Sequence, residues 1–87
     1  MIVDMAKYDP LYHYLRRKTA ADLPMTFRDI ERVISSMLPK SANLAQWWAN
    51  EESEESRHVQ AKAWLSAGFR AFLTGPEQVS FRRIEKH

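Results

Sequence analysis

The spacing of apolar residues changes from a helical period to a strand period at Gly68. Before this glycine, Ala61, Trp64 and Leu65 recur at helical spacing, and glycine is the residue favoured just past a helix C-terminus. After it, residues 69–83 place apolar side chains at every second position on both sides of a Gly-Pro turn. Such alternation around a turn is typical of a β-hairpin. The chain is therefore expected to combine helices with a C-terminal hairpin.

The first helix is predicted over residues 10–18. Asp9 is a suitable N-cap, and Pro10 favours the first helical position. The basic residues 16–18 lie in the last turn, where the helix dipole favours positive charge. Residues 1–7 carry no pattern and are expected to form a flexible arm.

A short strand over residues 25–27 is expected before the second helix. Thr26 and Asp29 resemble a capping box for that helix, and Pro39 stops it. Its apolar stripe is expected to pack on Trp64 and Leu65 of the third helix. The stripe comprises Ile30, Val33, Ile34, Met37 and Leu38.

The segment between the second and third helices includes residues 51–56, which are too acidic and polar to pack and are expected to form an exposed loop. Ser56 is a suitable cap for the third helix, which Gly68 ends. The resulting order is helix, short strand, helix, helix, strand, turn, strand. This order predicts an α+β fold, namely a small winged-helix-like domain with three helices, a short strand and a C-terminal β-hairpin.

A chain of 87 residues has room for one core, so residues 1–87 are expected to form a single domain. The 45% hydrophobic and 28% charged content is typical of a globular protein. The absence of cysteine excludes disulfides and thiolate metal sites, and it fits a reducing cytoplasm. The apolar runs are too short for a membrane span, and the N-terminus does not resemble a signal peptide. We therefore expect a cytoplasmic protein with no membrane partner.

The sequence contains no clear pattern typical of a catalytic site. His13, His58 and His87 lie in no recognised acid/base or metal-binding spacing. The acidic run lacks the pattern of a calcium loop, and the glycines, Gly68 and Gly75, form no phosphate-binding loop. A non-catalytic binding module is expected, with no metal, no cofactor and no small-molecule substrate.

Two sets of residues are candidates for binding. In a winged helix the third helix would enter the major groove of duplex DNA and the hairpin would follow phosphates. The net charge of +2 permits this role. The predicted nucleic-acid residues are Arg57, Gln60, Lys62, Ser66, Arg70, Arg82 and Arg83.

The second set would serve a protein partner. Trp47 and Trp48 are adjacent, so one is expected to pack in the core while the other stays partly exposed as a possible hot spot. The acidic segment 51–55 follows them in the sequence. The predicted protein-binding residues are Trp47, Trp48, Glu51, Glu52, Glu54 and Glu55.

Three segments are distinctive: residues 8–12 read Tyr-Asp-Pro-Leu-Tyr, residues 47–50 read Trp-Trp-Ala-Asn, and residues 63–68 read Ala-Trp-Leu-x-Ala-Gly. With them the chain resembles a family of bacterial domains of unknown function, over most of its length. This resemblance implies no established activity. The sequence departs from the family pattern at residues 35–37 and in the acidic insertion before the third helix.

The residues leave two functions open. The first is a DNA-binding regulator-type domain that uses the third helix and the hairpin. The second is a protein-binding inhibitor, encoded by a phage or mobile element, that blocks a host defence complex such as a CRISPR effector. The fold alone does not decide between them, because function depends on the site that the fold carries.

Overall fold

The computed structural model describes residues 7–50 and 59–84 of the chain. In these residues three α-helices pack on a three-stranded antiparallel sheet, which confirms the α+β class. The helices are α1 (Asp9–Arg16), α2 (Phe27–Ile34) and α3 (Val59–Ser66), and the strands are β1 (Asp22–Thr26), β2 (Phe69–Gly75) and β3 (Gln78–Arg83). Residues 1–6 of the predicted arm 1–7, the acidic loop, the predicted Ser56 cap of the third helix, His58 and His87 lie outside the described residues.

The hairpin is confirmed, and β3 is the central strand in the sheet order β1-β3-β2. Successive side chains of a strand point to opposite faces of the sheet. The buried side chains on the face toward the helices are Phe69, Ala71, Val79 and Phe81. The strand β1 joins from Asp22, three residues earlier than expected, because its backbone pairs with β3 along its whole length. The sheet therefore has one face buried under helices and one face open.

Helix α1 begins one residue earlier than predicted, so Asp9 as its N-cap is wrong. Tyr8 takes the N-cap position, and its carbonyl oxygen accepts the backbone N–H of Tyr12. The Tyr8 ring is buried and meets Trp47 edge-on at 6.2 Å between ring centroids. Packing of this ring fixes the start of the helix, which places Asp9 in the first turn, where the dipole favours a carboxylate.

The capping box of α2 is confirmed. The Thr26 hydroxyl accepts the Asp29 backbone N–H, and the Asp29 carboxylate accepts the Thr26 backbone N–H, each at 3.0 Å. These hydrogen bonds hold the pKa of Asp29 below its usual range. Because folding favours the ionised form, this contribution to stability is present at neutral pH and is lost as the pH falls through the lowered pKa.

Helix α2 ends at Ile34, before Pro39 is reached, so the expected extension of its apolar stripe to Met37 is wrong. Ser35 adopts a left-handed conformation with φ of 57°, and serine is a weak helix former. The Glu31 carboxylate then accepts the Leu38 backbone N–H at 2.9 Å, which turns the chain back. As a result Met37 is 74% exposed instead of buried.

The core is built around Trp64 of α3. Its ring is fully buried, stacks on Trp48 at 5.3 Å between centroids and lies 5.8 Å from Phe81. Helix α1 packs against both α2 and α3, and α3 packs on β2. Residues 35–58 separate α2 from α3, whereas the two helices of a helix-turn-helix are joined by a turn of about three to four residues. The winged-helix likeness stays a prediction.

The substitution Thr26→Ala is expected to lower the free energy of unfolding by about 1 kcal/mol, because it removes the side-chain half of the capping box. Urea denaturation followed by circular dichroism measures this change. Thr19→Ala is the matched control, since Thr19 is exposed and lies outside the helices and strands. Equal midpoints for the two variants would show that the box does not stabilise α2.

Candidate functional site

Two of the distinctive segments meet at the side chain of Asn50. Its Oδ1 accepts the indole N–H of Trp64 and the backbone N–H of Ala71, both at 2.8 Å. Its Nδ2 donates to the Ala71 carbonyl oxygen at 3.1 Å. One amide therefore ties the segment 47–50 to both α3 and β2. These residues build the core, and their chemistry does not by itself define a binding site.

The adjacent tryptophans divide as the sequence predicted. Trp48 is 2% exposed, and its indole N–H donates to the Ala42 carbonyl oxygen at 2.8 Å. Trp47 is half-buried and lies 4.6 Å from Trp48 between ring centroids. Trp48 therefore offers no surface to a protein partner, which corrects its inclusion among the protein-binding residues. The other members of that set, Glu51, Glu52, Glu54 and Glu55, lie outside the described residues.

Helix α3 is a core helix for most of its circumference. Gln60 is 5% exposed, and its Nε2 donates to the Trp47 carbonyl oxygen at 2.9 Å, so its inclusion among the nucleic-acid residues is wrong. Lys62 is half-buried and Ser66 is exposed in the last turn. Arg57, the remaining member on this side, lies outside the described residues. Little of α3 is therefore left to enter a DNA groove.

The hairpin presents two of its predicted arginines on the open face of the sheet. Arg70 and Arg82 are exposed cross-strand partners, and Asp22 lies opposite Arg82 on the other side. The Arg82 Nε lies 3.6 Å from the Asp22 carboxylate, which also accepts the Ser80 hydroxyl at 2.6 Å. Among the described residues, none forms an ion pair or a hydrogen bond with the Arg70 side chain.

Arg83 joins the sheet to the C-terminus of α1. Its guanidinium donates to the Lys18 carbonyl oxygen and lies 4.7 Å from the centroid of the Phe69 ring. Its backbone N–H donates to the Ala21 carbonyl oxygen, so the chain after α1 is held beside the end of β3. The basic run at the end of α1 and the arginines of the hairpin are thereby brought to the same end of the molecule. We call this surface the basic end; it comprises Arg16, Arg17, Lys18, Arg70, Arg82 and Arg83.

Sequence reasoning missed half of this surface. The local sequence around residues 16–18 indicates only a favourable interaction with the helix dipole, because nothing local shows that they lie beside residue 83. Two of their side chains are already ordered on aromatic rings: the Arg16 guanidinium lies 5.4 Å from the Tyr12 centroid, and the Lys18 ammonium lies 4.5 Å from that of Tyr14. The sequence signal for this surface is a second group of basic residues at 82–83. These residues end the second strand of the hairpin, and such a strand can lie beside the first helix.

The acidic residues are distributed differently from the basic residues. Within the described chain, Asp22 is the acidic residue at the basic end, and its Oδ1 contacts Arg82 and accepts the Ser80 hydroxyl. Asp29 and Glu77 lie at the opposite end of the sheet, where the Glu77 carbonyl oxygen accepts the Phe27 backbone N–H. Six of the described basic residues therefore gather at one end of the molecule, where Asp22 is the described acidic residue. No described helix is long and apolar enough to span a membrane.

The fold and this surface define a small α+β domain with a strongly basic end. The chain belongs to the family of domains of unknown function DUF7662, whose model matches residues 8–85. No curated protein and no solved structure matches the chain.

Proposed function

We propose that this chain is a non-catalytic nucleic-acid-binding module that holds a phosphate backbone at its basic end. The observation that carries the proposal is the meeting, around Arg83, of basic side chains from the sheet and from residues 16–18 at and just after the end of α1. The one described acidic residue there, Asp22, is already paired. Arginine is the side chain best suited to phosphate, because its planar fork of donors matches the phosphate oxygens. A duplex DNA partner and a cytoplasmic location, both expected from the sequence, stay predictions.

The mode of binding that the geometry supports differs from major-groove reading by α3. Most of α3 faces the core, and Gln60 is bonded to the Trp47 backbone. Contacts made by the basic end to phosphates position a protein without reading sequence. We therefore propose binding with little sequence preference, driven by release of counterions from the nucleic acid.

Salt dependence tests the proposal. The affinity of the wild-type protein for DNA is expected to fall as salt rises, and Arg17→Gln is expected to reduce the slope of log K against log salt by about one unit, since one phosphate contact is lost. Arg17 is exposed, so its replacement leaves the core intact. Fluorescence anisotropy with a labelled oligonucleotide, repeated at several salt concentrations, measures the slope.

Arg28→Gln is the matched control, because it removes the same charge from an exposed residue at the first turn of α2, away from the basic end. If Arg17→Gln and Arg28→Gln gave equal slopes of log K against log salt, the phosphate contact would lie elsewhere on the protein. A wild-type protein that binds neither single-stranded nor duplex DNA at about 50 mM salt, which favours even non-specific contacts, would overturn the proposal.

A protein partner is the second candidate function. Met37 and Leu44 are 74% and 54% exposed, and both lie in the segment between α2 and Trp47. Exposed apolar side chains of this size mark protein interfaces when they form a contiguous patch. The two side chains make a weaker case than the assembled basic end, so the protein partner becomes the favoured function only if nucleic acid fails to bind.

A further inference from the structure

The open face of the sheet carries an exposed aromatic ring. Phe72 on β2 is 38% exposed and lies on the face opposite the core, as the alternation of β2 requires. Its cross-strand partner is Ser80, and Pro24 lies opposite Ser80 on β1. These small neighbours leave the ring standing above the sheet. The Arg82 guanidinium covers it at 5.0 Å from the ring centroid.

Phe72 lies in a shallow depression at the edge of the basic end. The depression has a volume of about 290 Å³ and is lined by Arg70, Phe72, Arg82, Arg83 and Ile84. This volume lies at the lower limit of sites that enclose a small molecule, which span about 300–1,000 Å³. The site thus combines one flat aromatic surface with two arginines, Arg70 and Arg82, on the same face of the sheet. Its size suits one planar ring with an attached phosphate.

We propose that this depression takes one unpaired base of single-stranded nucleic acid, stacked against Phe72 and the Arg82 guanidinium, while Arg70 holds an adjoining phosphate. The inference rests on the proposed function and names its substrate class. An exposed ring stacks with any base, because every base has a π-face, and arginine planes stack in the same way. In a duplex the faces of the bases are covered by their neighbours, so the ring can reach them only after a base is unstacked.

The contributions of phosphate contacts and of base stacking to the affinity can be separated by experiment. Phosphate contacts set the salt dependence of binding to any nucleic acid. Stacking adds affinity for single strands and is independent of salt to a first approximation. A ring variant should therefore change the affinity for single strands at every salt concentration and leave the slope unchanged, whereas an arginine variant should change the slope.

The test uses the full chain, a labelled single-stranded thymidine oligonucleotide and a duplex of the same length. Phe72→Ala is expected to weaken single-strand binding by about five- to a hundredfold and to leave duplex binding and both salt slopes unchanged. Phe72→Trp is expected to retain single-strand binding, because it keeps an aromatic face. Thr74→Ala, the next outward position on β2, is the matched control.

Single-strand affinity that is unchanged in Phe72→Ala, or an equal loss for duplex, would overturn the inference and leave the proposed function standing. Failure of the wild-type protein to bind either probe would overturn both. Melting curves of the variants, measured alongside, verify that the compared proteins are folded at the temperature of the binding assay. A uridine oligonucleotide run in parallel tells whether the strand is DNA or RNA, and dependence on Phe72 with either one supports the inference.

Discussion

The variant Trp64→Ala is expected to lose about 3–5 kcal/mol of unfolding free energy, the usual cost of deleting a buried tryptophan. The ring is fully buried, stacks on Trp48 and touches Phe81. Its loss also leaves Asn50 Oδ1 without the indole N–H. Since small domains are stable by about 5–15 kcal/mol, with short chains toward the low end, much of this variant should be unfolded at room temperature.

Circular dichroism during urea or thermal unfolding measures the loss. Trp64→Phe separates the two causes, because it keeps most of the ring volume and removes the N–H. Trp47→Ala is the control for deleting an indole, and it is expected to cost less because Trp47 is half-buried. A Trp64→Ala protein with a wild-type melting curve would show that the core does not depend on α3.

The variant Asn50→Ala is expected to lower the free energy of unfolding by about 2–4 kcal/mol. It removes the partner of three polar groups, namely the indole N–H of Trp64 and the backbone N–H and C=O of Ala71. A buried group left without a partner costs about 1–3 kcal/mol. The total stays below the sum, since Asn50 is half-buried and water can reach part of the site.

Asn43→Ala is the matched control, because Asn43 is exposed and its side chain donates only a local hydrogen bond to the Lys40 carbonyl oxygen. Asn50→Asp is informative as well, since it keeps an acceptor for Trp64 and loses the donor to Ala71. Urea midpoints that are the same for Asn50→Ala and Asn43→Ala would contradict the structural role of this amide.

The parts of the fold that sequence predicted are those fixed by local rules. The period switch at Gly68 located the hairpin, and Gly68 has the positive φ of 90° that favours glycine after a helix. The spacing of Thr26 and Asp29 located the start of α2. In both cases a few neighbouring residues carry the whole signal.

The features that sequence did not predict depend on contacts between distant segments. The exception is Met37, which fits the helical spacing but follows Ser35, whose left-handed conformation ends α2 at Ile34. Gln60 fits a surface position, yet the Trp47 carbonyl oxygen fixes it in the interior. The basic end forms only because β3 returns beside α1, so residues 16–18 and Arg83 become neighbours in three dimensions. Alternation did place Arg70 and Arg82 outward, which is why that part of the site was found.

The Asn50 amide also bears on the exposed edge of the sheet. In the order β1-β3-β2, strand β2 is an edge strand, and edge strands with free backbone groups template pairing with other chains. The Asn50 side chain carries the donor and acceptor of a peptide group and bonds both backbone groups of Ala71. It thus takes the place of one residue of a missing fourth strand. A side chain that holds two core segments together thereby blocks the middle of β2 against intermolecular β-sheet growth and aggregation.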